Sequence, residues 1–329
     1  MLAPARPGVL VSNVLTRFGT ALAGLALFGF FAATAPVFLT PENIALILKE
    51  TAFLGILAIG FTLALVTAEI DLSVAEVASL AAVVTGALVH GGSAPWVAVA
   101  AGLAVGTLCG AANGAAVTVL KVPSLIATLG IAAIAKGLAF MMTQGVAFVG
   151  RWPVSFTGIA RGASFGVPNL VLWLAGIGLA AWLLVKWTRL GAHLVATGEA
   201  DEAARLAGIR TAAMKRLSLT LAGACAGLTA VLLASSLSSA APGMANDHFL
   251  YAIAAVLLGM SMFEPGRPNI PGTLFAAFTL KVLGNGLVLL GAEYYWQDIV
   301  LGTIILVSVA LSASGTGRAP FVKKLNFRR

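Results

Sequence analysis

Apolar runs of roughly 20 residues recur along this chain, the length at which a helix crosses the ~30 Å hydrocarbon core of a bilayer. They fall at residues 14–35, 51–67, 72–89, 95–119, 123–142, 167–186, 216–236, 249–262, 270–290 and 296–314. Backbone that faces lipid must satisfy its own N–H and C=O groups, so runs of this length read as helices. The expected fold is an all-α polytopic membrane protein with about ten transmembrane helices. Composition agrees: 60% of residues are hydrophobic and 10% charged, whereas a soluble domain is about one-quarter charged. The third and eighth runs are short or border acidic residues, the pattern of broken or re-entrant helices.

The net charge of +8 does not mark a nucleic-acid binder, because the basic residues sit at the ends of apolar runs and form no stripe. With both termini in the cytoplasm, Arg6, Arg17, Lys121, Lys186, Lys215, Arg267 and the cluster from Arg318 to Arg329 lie inside. Arg151 and Arg161 then lie outside, the asymmetry the positive-inside rule describes. The reading is one transmembrane domain, 1–329, with a long inner connection at 188–215 and a long outer one at 143–166. The first 34 residues mimic a signal peptide, ending in Ala33-Thr34-Ala35. Their apolar stretch exceeds the roughly 7–15 residues of a signal core and Pro36 follows, so they are read as a retained span. Trp152, Trp173, Trp187 and Trp296 near span ends fit interfacial anchoring or packing between helices.

No catalytic constellation is visible. Cys109 and Cys225 sit inside apolar runs, and His90, His193 and His248 lack the spacing of metal ligands. A Gly-x-x-x-x-Gly-Lys-Ser/Thr phosphate loop is also missing, so no cofactor or metal is expected and energy must come from outside the chain. The informative groups are polar residues at membrane depth. Glu69, Asp71, Ser73 and Glu76 interrupt the apolar pattern, where a carboxylate costs a few kcal/mol unless paired or wetted. Two readings stay open: a gate or cavity lining, or capping of the next helix, with Asp71 accepting from its free N–H groups. Lys136 and Lys281 fall within spans, with Glu76 and Asp298 as candidate partners. Asn113, Thr128, Gln144 and Asn285 either line a polar path or bond between helices. The candidate pathway set is Glu69, Asp71, Ser73, Asn113, Thr128, Asp247 and Asn285.

Glycines at 102, 106, 110 and 114 lie four apart, which lets a neighbouring helix or subunit approach closely. A weak repeat is also present. Asn113-Gly114 recurs as Asn285-Gly286, and Ala68-Glu-Ile-Asp71 is echoed by Ala245-Asn-Asp247; an odd number of spans between them makes the repeat inverted. In the inner connection, acids precede a cation from Glu199 to Leu206, the order that favours a helix starting just after Gly198 and stopped by Gly208. That segment is either a solvated linker or a docking element.

Four stretches carry a resemblance. Phe38-Leu-Thr-Pro-Glu-Asn43-Ile precedes the second span and Ile70-Asp-Leu-Ser-Val74 the third. Lys121-Val-Pro-Ser-Leu-Ile-Ala-Thr-Leu-Gly130 is followed by Lys136-Gly-Leu. Thr188-Arg-Leu-Gly191 precedes Ala203-Ala-Arg-Leu-Ala-Gly-Ile209, and Leu237-Ser-Ser-Ala, Ala252-Ile-Ala-Ala-Val-Leu-Leu-Gly259 and Gly284-Asn-Gly-Leu287 fit the second half. In this order and spacing they resemble the permease subunits of bacterial ABC importers of the ribose and monosaccharide type. The resemblance implies a second permease chain (homodimer or heterodimer), cytoplasmic ABC ATPase subunits that hydrolyse ATP, a periplasmic solute-binding protein, and the bacterial inner membrane. It makes Glu199 to Ile209 the coupling helix, with Glu199, Ala203, Ala204, Arg205, Gly208 and Ile209 at the ATPase contact. The chain departs from the family at Ala68-Glu69, where Gly-Gly is usual, and at Leu258 to Gly266, where a Gly-rich stretch is usual. An ion-gradient-driven secondary transporter is the alternative reading, and a membrane-embedded enzyme comes third.

Overall fold

The computed structural model describes the backbone of residues 7–316 and the side chains of 18–308; the basic side chains of Arg6, Arg17 and the 318–329 cluster lie outside the described residues. In chain order the elements are α1 (Pro7–Thr34), α2 (Pro41–Val66), α3 (Val74–His90), α4 (Pro95–Thr118), α5 (Ser124–Thr143), β1 (Phe148–Val149), α6 (Val154–Arg161), β2 (Ala163–Ser164) and β3 (Val167–Pro168). There follow α7 (Asn169–Trp187), α8 (Arg189–Glu199), α9 (Asp201–Leu206), α10 (Thr211–Leu237), β4 (Ser239–Ala240), α11 (Asp247–Gly259), α12 (Ile270–Leu289) and α13 (Tyr295–Thr316). Each apolar run of the sequence falls on one helix. Six of these, α2, α4, α5, α7, α10 and α12, are long and apolar enough to cross a membrane; α1, α3, α11 and α13 contribute shorter apolar stretches. The chain is therefore an all-α, multi-pass membrane protein.

Helix α2 begins ten residues before the apolar run that announced it. Thr40 accepts from Asn43 N through its side chain and Pro41 occupies the first turn, where its missing N–H costs nothing. The extra turns carry Glu42, Lys49 and Glu50, which had masked them as loop. Helices α2 and α10 form the centre of the molecule, with residues 51–66 of α2 buried without a break. Helix α10 packs on α4 through glycines: Gly106 and Gly110 of α4 meet Gly223, and Gly102 meets Gly227. A Cβ at Gly106, Gly110, Gly223 or Gly227 would collide with the facing backbone, and one at Gly102 with the side chains of Thr85 and Val231. The glycine stripe thus serves packing inside the chain.

The two long connections mark opposite faces. On one, β1 pairs with β4 (Phe148 with Ala240), and α6 seats Phe156 and the buried Trp152 beneath it, so Trp152 packs inside where the sequence allowed an interfacial anchor. On the other lie α8, α9 and the segment before α12. We call these the β1 face and the α8 face.

The repeat is inverted, and left-handed residues mark it. Ala68 and Ser238 follow α2 and α10, Gly92 and Gly266 precede α4 and α12, and Lys121 and Gly291 precede α5 and α13. All six have positive φ, and the members of each pair lie about 170 positions apart. Asn113 and Asn285 keep nearly this spacing, whereas the echo between Ala68 and Ala245 does not; Ser238 is the true equivalent of Ala68. Helices α3 and α11 thus correspond. Helix α11, with 13 residues, spans about 20 Å, short of a bilayer core. It starts beside Phe53, nearly halfway along α2, with the rings of Phe53 and His248 6.2 Å apart. The non-helical segment 238–246 reaches that depth with Ala240 and Ala245 buried, and Ala245 N donates to Ser79 Oγ of α3 at 3.2 Å. Protein burial is the condition under which irregular backbone survives at membrane depth.

Candidate functional site

The seven candidate pathway residues separate into two groups. Glu69, Asp71, Ser73, Asn113 and Thr128 come together around segment 67–73, between α2 and α3 on the α8 face, and all five are buried. Asp71 Oδ1 accepts from Ser73 N at 2.9 Å and from Ser73 Oγ at 2.5 Å. Asn113 Nδ2 of α4 donates to Ser73 Oγ at 2.7 Å, and its Oδ1 has no partner. Thr128 Oγ1 of α5 accepts from Leu72 N at 3.2 Å, and Ser124 Oγ from Ile70 N at 3.3 Å. Side chains of α5 thus take up backbone groups that an interrupted helix leaves open, while Asn113 of α4 bonds the paired side chains of Asp71 and Ser73. Asp71 closes the turn that ends at Ser73, the N-cap position of α3, whose side chain makes no capping bond to the helix; the network braces the break between α2 and α3.

Glu69 connects this break to the α8 face. Lys215 Nζ of α10 lies 3.1 Å from Glu69 Oε1 and 2.7 Å from Asp201 Oδ2 of α9. Helix α8 begins earlier than its charge pattern implied: Thr188 Oγ1 accepts from Gly191 N at 2.9 Å, so residues 189–199 are already helical. Glu199 therefore ends α8 where the sequence placed it at the start of the coupling helix. Ala200 turns the chain, α9 follows, and Gly208 at φ +84° stops it, the stop expected from the sequence. Glu199 of α8 pairs with Arg267 at 2.6 Å and Lys186, at the end of α7, with Glu264 at 2.6 Å, pinning α8 and the end of α7 to the segment before α12 over a cavity of about 110 Å³. Of the coupling residues, Ala203, Arg205 and Gly208 are exposed, Ile209 is half-buried, and Ala204 faces inward. Leu206 is 83% exposed, an apolar side chain presented beyond the membrane helices.

Asp247 and Asn285 line a different feature, a cavity of about 860 Å³ between α2, α10, α11, α12 and α13, toward the β1 face. Its wall carries two polar rungs between α2 and α12. Asn43 and Asn285 exchange amide hydrogen bonds of 3.1 and 2.7 Å, and Lys281 Nζ lies 3.2 Å from Glu50 Oε2 and 5.3 Å from the Tyr251 ring centroid. The partner of Lys281 is thus Glu50, not Glu76 or Asp298, because only Glu50 faces it across the two helices. Lys136 is exposed on α5 and has no ion-pair partner among the described residues; Gln144, at the end of α5, donates to Met141 O. Glu50, His248 and Asp298 also line this cavity and were absent from the sequence-derived set. The described residues contain no group of three His, Cys, Asp or Glu side chains placed to hold a metal.

Residues 43–309 match the family described as branched-chain amino acid transport system / permease component. The chain belongs to this permease family. The ribose import permease protein RbsC of Escherichia coli K12 is 37% identical over 293 residues, covering 88% of this chain and 91% of the relative. RbsC of Bacillus subtilis strain 168 is 32% identical, covering 91% and 93%. The autoinducer 2 import system permease protein LsrC of Escherichia coli O157:H7 is 31% identical, covering 89% and 84%. No solved structure matches the chain. The permease is a transport component and not an enzyme, as the resemblance in its sequence implied. Its family-like stretches occupy distinct places in the fold: Ile70–Val74 is the break before α3, the stretch opening at Lys121 supplies Ser124 and Thr128 to that break, and Ala203–Ile209 forms α9 and its stop.

Proposed function

We propose that this permease is the membrane-spanning subunit of an ATP-binding-cassette importer in a bacterial inner membrane, carrying a monosaccharide or a related small polar solute. The observation that carries the reading is the likeness to ribose import permeases along nine-tenths of both chains. The family description names branched-chain amino acids; the sugar reading rests on the relatives, which are matched over nearly their whole length. In this reading ten helices cross the bilayer, both termini and the α8 face are cytoplasmic, and the β1 face meets a periplasmic solute-binding protein. Separate ATPase subunits hydrolyse ATP and push on α8 and α9. The movement reaches segment 67–73 through Lys215, which touches both Asp201 and Glu69. A second permease chain completes the pathway, and the large cavity is its outward vestibule.

The test is reconstitution of the permease in vesicles with and without the ATPase and binding protein that co-purify with it in mild detergent. Uptake of labelled ribose that needs ATP and both partners is the expected result. Uptake by the permease alone under a proton or sodium gradient would instead make it a secondary transporter.

A further inference from the structure

Helix α8 is held on two sides by different means. Its inner face is packed: Leu194 and Thr197 are buried, and Gly198 lies so close to the end of α2 that a Cβ there would strike Val66 O. Toward the segment before α12, the hold is by charge. Glu199 meets Arg267 and, at the end of α7, Lys186 meets Glu264, so each side of the joint contributes one acid and one base. Beneath the two pairs lies the cavity of about 110 Å³, with Trp182, Val195 and Ile270 among its apolar lining. All four charged side chains are between 38% and 61% exposed, and ion pairs in contact with water are weak. Such a clasp can open and shut within a transport cycle, and the cavity leaves the facing surfaces room to move.

The segment that α8 grips is tied to two helices at once. Asn269 is buried and donates from Nδ2 to Gly259 O at 3.2 Å and to Arg267 O at 3.1 Å, while its Oδ1 accepts from Gly272 N at 2.8 Å. The backbones of Gly259 and Gly272 are in such close contact that a Cβ on either would collide with the other. A pull at Arg267 therefore reaches the end of α11 and the start of α12 together. Farther along, the same two helices supply Asp247, Tyr251, Lys281 and Asn285 to the large cavity.

We infer that the pairs Glu199–Arg267 and Lys186–Glu264 form a reversible latch that carries the movement of α8 into α11 and α12. The four side chains are positioning residues, and they act on the cavity wall through Asn269. The inference rests on the import reading above and deepens it. Helix α9 acts on the first half of the repeat through Lys215 and Glu69, and α8 acts on the second half through the latch.

A reducible bridge across the joint tests this. Glu199→Cys with Arg267→Cys is linked by a short bifunctional methanethiosulfonate in vesicles that hold the permease with its ATPase and binding protein, and bridging is followed by mass spectrometry. The bridge should lower ATP-linked uptake of labelled ribose at least about tenfold, because a latch that must open gates every turnover. Reduction should restore uptake, and each single-cysteine variant treated with the same reagent should show neither change. Undiminished uptake through a complete bridge would mean that the joint stays shut throughout the cycle, and would overturn the latch. If the cysteine pair is not monodisperse, charge exchange takes its place. Arg267→Glu sets two carboxylates against each other and should lower uptake, and adding Glu199→Arg should restore it; equal uptake by the single and exchanged variants overturns the latch. The unmodified permease is run in parallel. ATP-dependent uptake by it, together with an indifferent bridge, rejects the latch and leaves the import reading, whereas uptake without ATP rejects the import reading itself.

Discussion

Asn246 donates from Nδ2 to Glu76 Oε1 at 3.1 Å, which ties the residue before α11 to the first turn of α3. Those two helices are equivalents in the inverted repeat, and each follows a break in the chain. The break before α3 lies under the α8 face, and the break before α11 opens on the large cavity. Their junction joins the two breaks, so on the import reading it is a route from α8 and α9 to the large cavity.

Glu76 is the residue to change at this junction. Glu76→Gln keeps an oxygen for Asn246 and removes the charge from Oε2, which has no partner. Glu76→Ala removes the acceptor. The expected result is near-normal ATP-linked uptake for Gln and a loss of about tenfold for Ala. The lost hydrogen bond should cost stability only about 0.5–1.5 kcal/mol, read as a small shift in the unfolding midpoint in detergent. Equal uptake by the two variants would remove the junction from the transport cycle.

The glycine contact between α4 and α10 makes a sharper stability prediction. Gly223→Val drives a branched side chain into the backbone of Gly106 and Gly110, and the central helix cannot shift without disturbing α2 and α3. Overpacking of this kind costs typically 1–3 kcal/mol and more where backbone must move. Gly130→Ala on α5, with nothing within 4 Å of the added carbon, is the control and should be neutral or slightly stabilising. Fluorescence-detected size-exclusion chromatography after a heat step would show monodisperse Gly130→Ala and aggregated Gly223→Val. Similar profiles for both would mean that the close approach is not required.

Much of this architecture was legible in the residues, and the failures have physical causes. Apolar length alone located every long helix, because lipid leaves a spanning chain no alternative to internal hydrogen bonding. Helix α8 was missed because the order of charges placed the helix start only after Gly198, and Gly191 and Gly198 lie inside the helix. In the structure they are close-approach sites: a Cβ at Gly191 would strike Leu184 O, and one at Gly198 would strike Val66 O. The cap at Thr188 was the available signal. The cavity was not legible at all. Glu50 and Lys281 are 231 positions apart, and only the pairing of α2 with α12 makes them neighbours. Asp71 illustrates the intermediate case, since its residue type allowed capping or gating and only the fold shows that it bonds Ser73 in the turn before α3.

Lys215 supports a double-variant test. Lys215→Met removes the cation 3.1 Å from Glu69, whose side chain is 5% exposed, and should lower the unfolding midpoint. Adding Glu69→Gln removes the charge that Lys215 faced and should recover part of that loss. Uptake should stay low in both, because the tie from α9 to segment 67–73 is gone in each. Unfolding midpoints that fall equally in the single and double variants would show that Glu69 does not depend on Lys215.

Leu206 separates docking from folding. It stands on the outer side of α9 at 83% exposed, while Ala204 on the same short helix faces inward. A large apolar side chain exposed beyond the membrane helices is where a partner gains most from burial, about 25 cal/mol per Å² of apolar area covered. Leu206→Asp should therefore leave the unfolding midpoint of the isolated permease within a degree or two and abolish co-purification of the ATPase. Ala204→Asp should do the reverse in order of cause: it breaks the packing of α9 first, lowers the midpoint, and loses the ATPase as a result. Retention of the ATPase by a well-folded Leu206→Asp permease would place the docking surface elsewhere on the α8 face, with Trp187, 73% exposed at the end of α7, the next apolar side chain to change.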